Sequence, residues 1–123
     1  MHFAHIMVLI AALLPYATVG GAKSAKGYDN NKPRDSLAGL SGWRARANWA
    51  HANHFEAFAP FAAAVILAEI AHAPQHQVDL RAGIFVAARV LYTVAYLADA
   101  ASVRSLIWFV GIGATISLFV LAI

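Results

Sequence analysis

The feature that most constrains this chain is a pair of long apolar stretches without a charged side chain, Phe3 to Val19 and Ser105 to Ile123. Each is long enough to cross a hydrocarbon core of about 30 Å with help from its flanks. Two further apolar segments lie between them, about 47–71 and about 78–98. Composition agrees: 61% of residues are hydrophobic and 12% are charged. That leaves too few charges to cover a small soluble domain, and far too much apolar surface for a disordered chain. The expected fold is all-α: an integral membrane four-helix bundle of up-down topology, as one domain over residues 1–123. The first segment lacks the basic n-region of a signal peptide, so it reads as a retained helix from about 3 to 22 despite Pro15. Cysteine is absent, which excludes disulfides, thiolate metal sites and a Cys nucleophile.

Charge placement orients the bundle. Lys23, Lys26, Lys32, Arg34, Arg44 and Arg46 are six of the nine basic residues, and all lie in the loop of about 23–46. Arg104 sits at the edge of the third loop, on the same side. By the positive-inside rule this side is cytoplasmic and both termini lie outside, in the periplasm if the membrane is a bacterial inner membrane. Basic residues so placed belong to a membrane protein, and no basic–aromatic module points to nucleic acid.

Charges inside apolar segments are costly and need a reason. Glu56 and Arg89 lie at about 15 Å depth from the same face at about 1.5 Å per residue, so a pair between them, within one chain or between chains, is geometrically reasonable, either as a structural ion pair or as part of a polar site open to the cytoplasmic face. Arg46, Asn53, Glu56 and Pro60 share one helical stripe, and Arg89, Tyr92, Thr93 and Tyr96 share another. Arg104 and Ser105 open the last segment at the same level. Three helices thus turn polar faces inward in one leaflet, as a cleft for an anionic polar ligand beside an apolar one requires. The other leaflet reads as apolar. His51 with His54 and His72 with His76 have chelating spacings but lie near opposite faces, so no metal is expected. A transporter would rest on the buried charges alone, without an internal repeat.

Two motifs carry a resemblance. Arg46-Ala47-Asn48-Trp49-Ala50-His51-Ala52-Asn53-His54-Phe55-Glu56, continued to Pro60-Phe61, is similar to the RAxxAHxNxxExxPxF signature of the MAPEG family, the membrane-associated proteins in eicosanoid and glutathione metabolism. Arg89 to Leu97, followed by Arg104-Ser105, is similar to the family's R-x-x-x-T-x-A-Y segment and its Arg-Ser pair. The Tyr28–Arg34 loop resembles the bacterial branch.

The resemblance implies a homotrimer embedded in membrane lipid, with glutathione as co-substrate between subunits near the cytoplasmic face. It implies that Asn53, Glu56, Arg89, Tyr92 and Tyr96 hold glutathione. It further implies that Arg104 stabilises the thiolate beside Ser105, in transferase or peroxidase chemistry on a lipophilic small molecule. Ala52 and Trp49 stand where enzymatic members are frequently basic, and Tyr92 where some have His. The family also contains a non-catalytic lipid-binding member, so a binding or scaffold protein of the same fold is the alternative.

Overall fold

The computed structural model describes residues 1–123 as five helices and no strand. Helix α1 spans Phe3–Lys23, α2 Pro33–Ala38, α3 Gly42–Ile70, α4 Gln75–Leu97 and α5 Ala101–Leu121. The largest interfaces join α4 to α5 and α1 to α3, and smaller ones join α3 to α4 and α5 and α1 to α4. Helices α1, α4 and α5 are long and apolar enough to cross a membrane. Helix α3 is longer but falls outside that set, because its first half carries Arg44, Arg46, His51, Asn53, His54 and Glu56.

The loop expected over 23–46 is more ordered than the sequence reading held. Pro33 reads as a helix break after Lys32, yet it occupies the first turn of α2. Its missing N–H is harmless there and its fixed φ suits a helix start. Helix α3 starts at Gly42, whose φ of +63° lets the chain turn into it. Leu37 and Leu40 pack against Val19, Ala22 and Ala47, tying the loop to the end of α1 and α3.

The two short connections close in the same way. After α3, His72 N–H donates to Glu69 O at 3.0 Å and Ala73 N–H to Ala68 O at 2.9 Å. After α4, Asp99 N–H donates to Tyr96 O at 3.1 Å and Ala100 N–H to Ala95 O at 2.9 Å. Both are Schellman closures, and His72 (φ +55°) and Asp99 (φ +59°) hold the left-handed position that glycine usually fills.

The core occupies one half of the molecule. Ala4, Met7 and Ala11 of α1 meet Phe61, Ala64, Val65 and Ala68 of α3, with Val78, Ala82, Phe85 and Val86 of α4 and Ala114 and Leu118 of α5. The alanines let backbones approach closely, and packing is the main adhesive between helices in lipid. Phe61 and Phe85 stack at 3.8 Å between centroids, and Phe85 also lines a cavity toward the other half. Many large apolar side chains face outward, including Phe109, Leu106 and Val94, an arrangement suited to lipid or to further copies of the chain.

The end of the core remote from the basic loop is not apolar throughout, contrary to the sequence reading. His5 Nε2 donates to Glu69 Oε2 at 2.7 Å. Gln75 Nε2 donates to Asp79 Oδ1 at 2.9 Å and to Glu69 Oε1 at 3.4 Å. Asp79 Oδ1 also accepts the Ala4 N–H at 2.9 Å. That N–H is one of the unpaired donors of the first turn of α1, and a carboxylate there also meets the positive end of the helix dipole.

Candidate functional site

The other half of the molecule holds a polar cluster built on Arg89. This side chain is 3% exposed. Its Nε donates to His54 Nδ1 at 3.2 Å, and its terminal Nη2 lies 2.9 Å from the same ring nitrogen and donates to Asn53 Oδ1 at 2.8 Å. Asn53 Nδ2 in turn donates to Glu56 Oε2 at 3.2 Å. Within the chain Glu56 and Arg89 therefore form no ion pair, and Asn53 stands between the two groups. Asn53 and Glu56 are three apart on one turn, so the amide reaches the carboxylate first.

His54 is itself fixed. Its Nδ1 accepts from Arg89, so its Nε2 carries the proton and donates to Thr93 Oγ1 at 2.8 Å. Thr93 Oγ1 donates to the Arg89 carbonyl at 2.9 Å. The circuit runs from the Arg89 side chain through His54 and Thr93 to the Arg89 backbone. His51 turns the other way and donates from Nδ1 to Pro15 O at 2.8 Å.

The arginines rest on aromatic faces. The Arg89 guanidinium lies 4.1 Å from the Tyr92 ring centroid, and that of Arg104 lies 4.4 Å from Tyr96. Tyr92 and Tyr96 meet edge to face at 5.5 Å. These contacts form a ladder, Arg89–Tyr92–Tyr96–Arg104, along α4 and onto the first turn of α5. Each cation–π contact contributes about 0.5–2 kcal/mol, depending on desolvation, and leaves N–H donors free. Arg46 plays a different part: its Nε and Nη2 both donate to Leu97 O, at 3.3 and 3.2 Å, and close the carboxyl end of α4.

Two adjacent cavities open beside this ladder and share Asn53 and Trp108. The inner one, about 120 Å³, is bounded by Glu56, Pro60, Phe85 and Arg89. The outer one, about 360 Å³, is bounded by Tyr92, Tyr96, Arg104 and Ser105. All seven residues singled out from sequence thus reach one of the two cavities. Pro60 adds a further acceptor: it has no N–H, so the Glu56 carbonyl lacks its usual intrahelical donor at the cavity wall.

Sequence reasoning passed over Trp108 and His54 as site residues. Trp108 had a signal, since Arg104, Trp108, Gly111, Ile112 and Thr115 follow one stripe of α5, and all five line a cavity with Asn53. His54 had none beyond its neighbour Asn53, because it faces α4 and not the cavities.

Taken together, the arrangement presents two guanidinium groups, amide and carboxylate acceptors and an aromatic wall to two adjacent cavities among apolar helices. The MAPEG family model matches residues 2–123, essentially the whole chain, and the protein belongs to that family. No curated protein and no solved structure matches it.

Proposed function

We propose that this chain is one subunit of an integral membrane assembly that binds glutathione at the Arg89–Arg104 cleft and uses its thiol on a lipophilic electrophile. The observation that carries this reading is that Arg89 and Arg104 line adjacent cavities with no carboxylate against either guanidinium. Glutathione matches these cavities group by group. Its two carboxylates suit guanidinium donors, and its ammonium suits Glu56 and the free Glu56 carbonyl. The outer cavity alone falls within the roughly 300–1,000 Å³ typical of small-molecule sites.

The chemistry follows from Arg104. A free thiol has a pKa of about 8.5 and is mostly protonated at neutral pH, and an adjacent guanidinium favours the anion. Ser105, next in sequence and on the wall of the same cavity, supplies a hydroxyl donor. In the transferase reaction the thiolate sulfur bonds to the electrophilic carbon as the leaving group departs. In the peroxidase reaction it attacks a peroxide oxygen, the O–O bond breaks, the alcohol leaves with a proton, and a second glutathione thiol then displaces water from the sulfenic acid to give the disulfide. The chain has no cysteine, so the nucleophilic sulfur comes from the ligand.

The subunit is proposed to be a four-helix up-down bundle of α1, α3, α4 and α5, with the basic loop in the cytoplasm and both termini outside, and to assemble as a homotrimer. Glu56 supports the trimer: it is exposed in the single chain at a depth where lipid contact is costly, and a neighbouring copy would cover it. Light scattering of the detergent-solubilised protein tests the trimer. Because the chain lacks cysteine, single Cys probes at Ser36 and His76 test the orientation with an impermeant thiol reagent.

Isothermal titration with glutathione tests the site. Saturable binding with appearance of thiolate ultraviolet absorbance is expected, and no binding at millimolar ligand would refute the reading. Trp49 favours a second reading, binding without catalysis. It stands where a basic residue is frequent and packs 6.4 Å from Tyr96, beside Arg104. Lipid binding without thiol-dependent turnover would establish that alternative.

A further inference from the structure

The structure assigns to His54, backed by Thr93, the role of a positioning residue that holds Arg89 by a neutral acceptor and so leaves its positive charge available to a bound anion. The inference rests on the ligand reading above for its consequence, but on geometry alone for the circuit itself.

A buried guanidinium needs its donors satisfied, and the commonest partner is a carboxylate. A carboxylate would satisfy the hydrogen bonds and cancel the charge together. Here the two acceptors within reach of Arg89 are neutral, the His54 ring and the Asn53 amide oxygen. Glu56 is kept one hydrogen bond further away by Asn53. Arg89 is therefore oriented without being neutralised.

The acceptor role demands that His54 Nδ1 be unprotonated, and Thr93 secures this. Its hydroxyl accepts from His54 Nε2 and spends its own proton on the Arg89 carbonyl. A hydroxyl has one proton, so this directionality fixes the imidazole with the hydrogen on Nε2. His54 is 2% exposed, and its ring also packs 6.0 Å from Tyr92, the residue beneath Arg89. The ring is held on three sides. Because His54 reaches neither cavity, its effect on a ligand passes through Arg89.

Four variants separate this role from simple packing: His54→Asn, which keeps a neutral acceptor near the Nδ1 position; His54→Asp, which adds a charge; His54→Phe, which removes the acceptor; and Thr93→Val. Each is purified in detergent and titrated with glutathione, with thermal unfolding recorded in parallel. His54→Asn is expected to bind within about threefold of the parent, and His54→Asp and His54→Phe at least about tenfold more weakly. Thr93→Val falls between them. A merely structural residue would lower unfolding temperatures without ordering the affinities by charge. Equal affinity for the parent and His54→Asp would overturn the charge argument.

The circuit has its own readout. Nitrogen-15 spectra of histidine-labelled protein, assigned with His54→Asn, are expected to show an unprotonated Nδ1 whose resonance moves in Arg89→Lys. A protonated Nδ1 at His54 would refute the inference whether or not glutathione binds. If the parent fails to bind glutathione while that signature is present, the ligand reading falls and the positioning of Arg89 by His54 stands.

Discussion

Polar side chains gather at both ends of the helix packing, and the two gatherings behave differently. At one end, His5 donates to Glu69, while Gln75 and Asp79 close the remaining hydrogen bonds onto the first turn of α1. Donors find acceptors within the chain, and neither cavity reaches that end. At the other end, two arginines are fixed by aromatic faces and, for Arg89, by neutral acceptors, with cavities alongside. The first arrangement stabilises a fold. The second leaves two guanidinium groups without a carboxylate partner, as the proposed anion site requires. Closed polar networks and open ones thus arise from similar residues, and what separates them is whether the hydrogen bonds close within the chain or a cavity lies alongside.

Substitutions at the two ends should therefore have opposite signatures. The largest effect is expected for Arg89→Ala. It removes a cation from the inner cavity and leaves His54 and Asn53 without their donor, so glutathione binding should weaken by roughly 2–4 kcal/mol in titration calorimetry. Next comes Arg104→Ala. Thiol-dependent turnover should fall by at least about tenfold while glutathione affinity changes less, because a group that favours the thiolate acts mainly on the reacting anion. Full activity in that variant would remove Arg104 from the mechanism.

At the closed end, Glu69→Gln should lower stability by about 1 kcal/mol, seen as a drop of a few degrees in the unfolding temperature, and leave glutathione binding unchanged. A loss of binding there would dissolve the distinction between the two ends. The smallest effect is expected for His72→Gly. Relief of the left-handed conformation at the α3 closure should raise stability by up to about 1 kcal/mol, again with no change in binding.

Much of this was legible in the sequence, and the missing part has a common cause. The uncharged runs marked α1 and α5, and the helical spacing of Arg89, Tyr92 and Tyr96 marked the cavity-lining side of α4. Periodicity works there because neighbours on one helix face are fixed by local geometry. The closed end was missed because its contacts join distant positions: Ala4 to Asp79, and His5 to Glu69. No local spacing signals such a pairing. Glu56 and Arg89 do not pair within the chain for a related reason. Matching depth brings two groups to one level, but the rotation of each helix decides which side chain arrives first, and Asn53 arrives first. Helix α2 was hidden by Pro33, which breaks a helix from inside and starts one from its first turn.

The account turns on the open end holding cations for a ligand and not for the fold. The most direct measurement is calorimetric titration of glutathione into the detergent-solubilised protein and into Arg89→Ala, with unfolding temperature followed in both. The account predicts saturable binding and a ligand-dependent rise in unfolding temperature for the parent, both lost in the variant. Absence of binding to the parent at millimolar glutathione, or equal binding to both proteins, would contradict it.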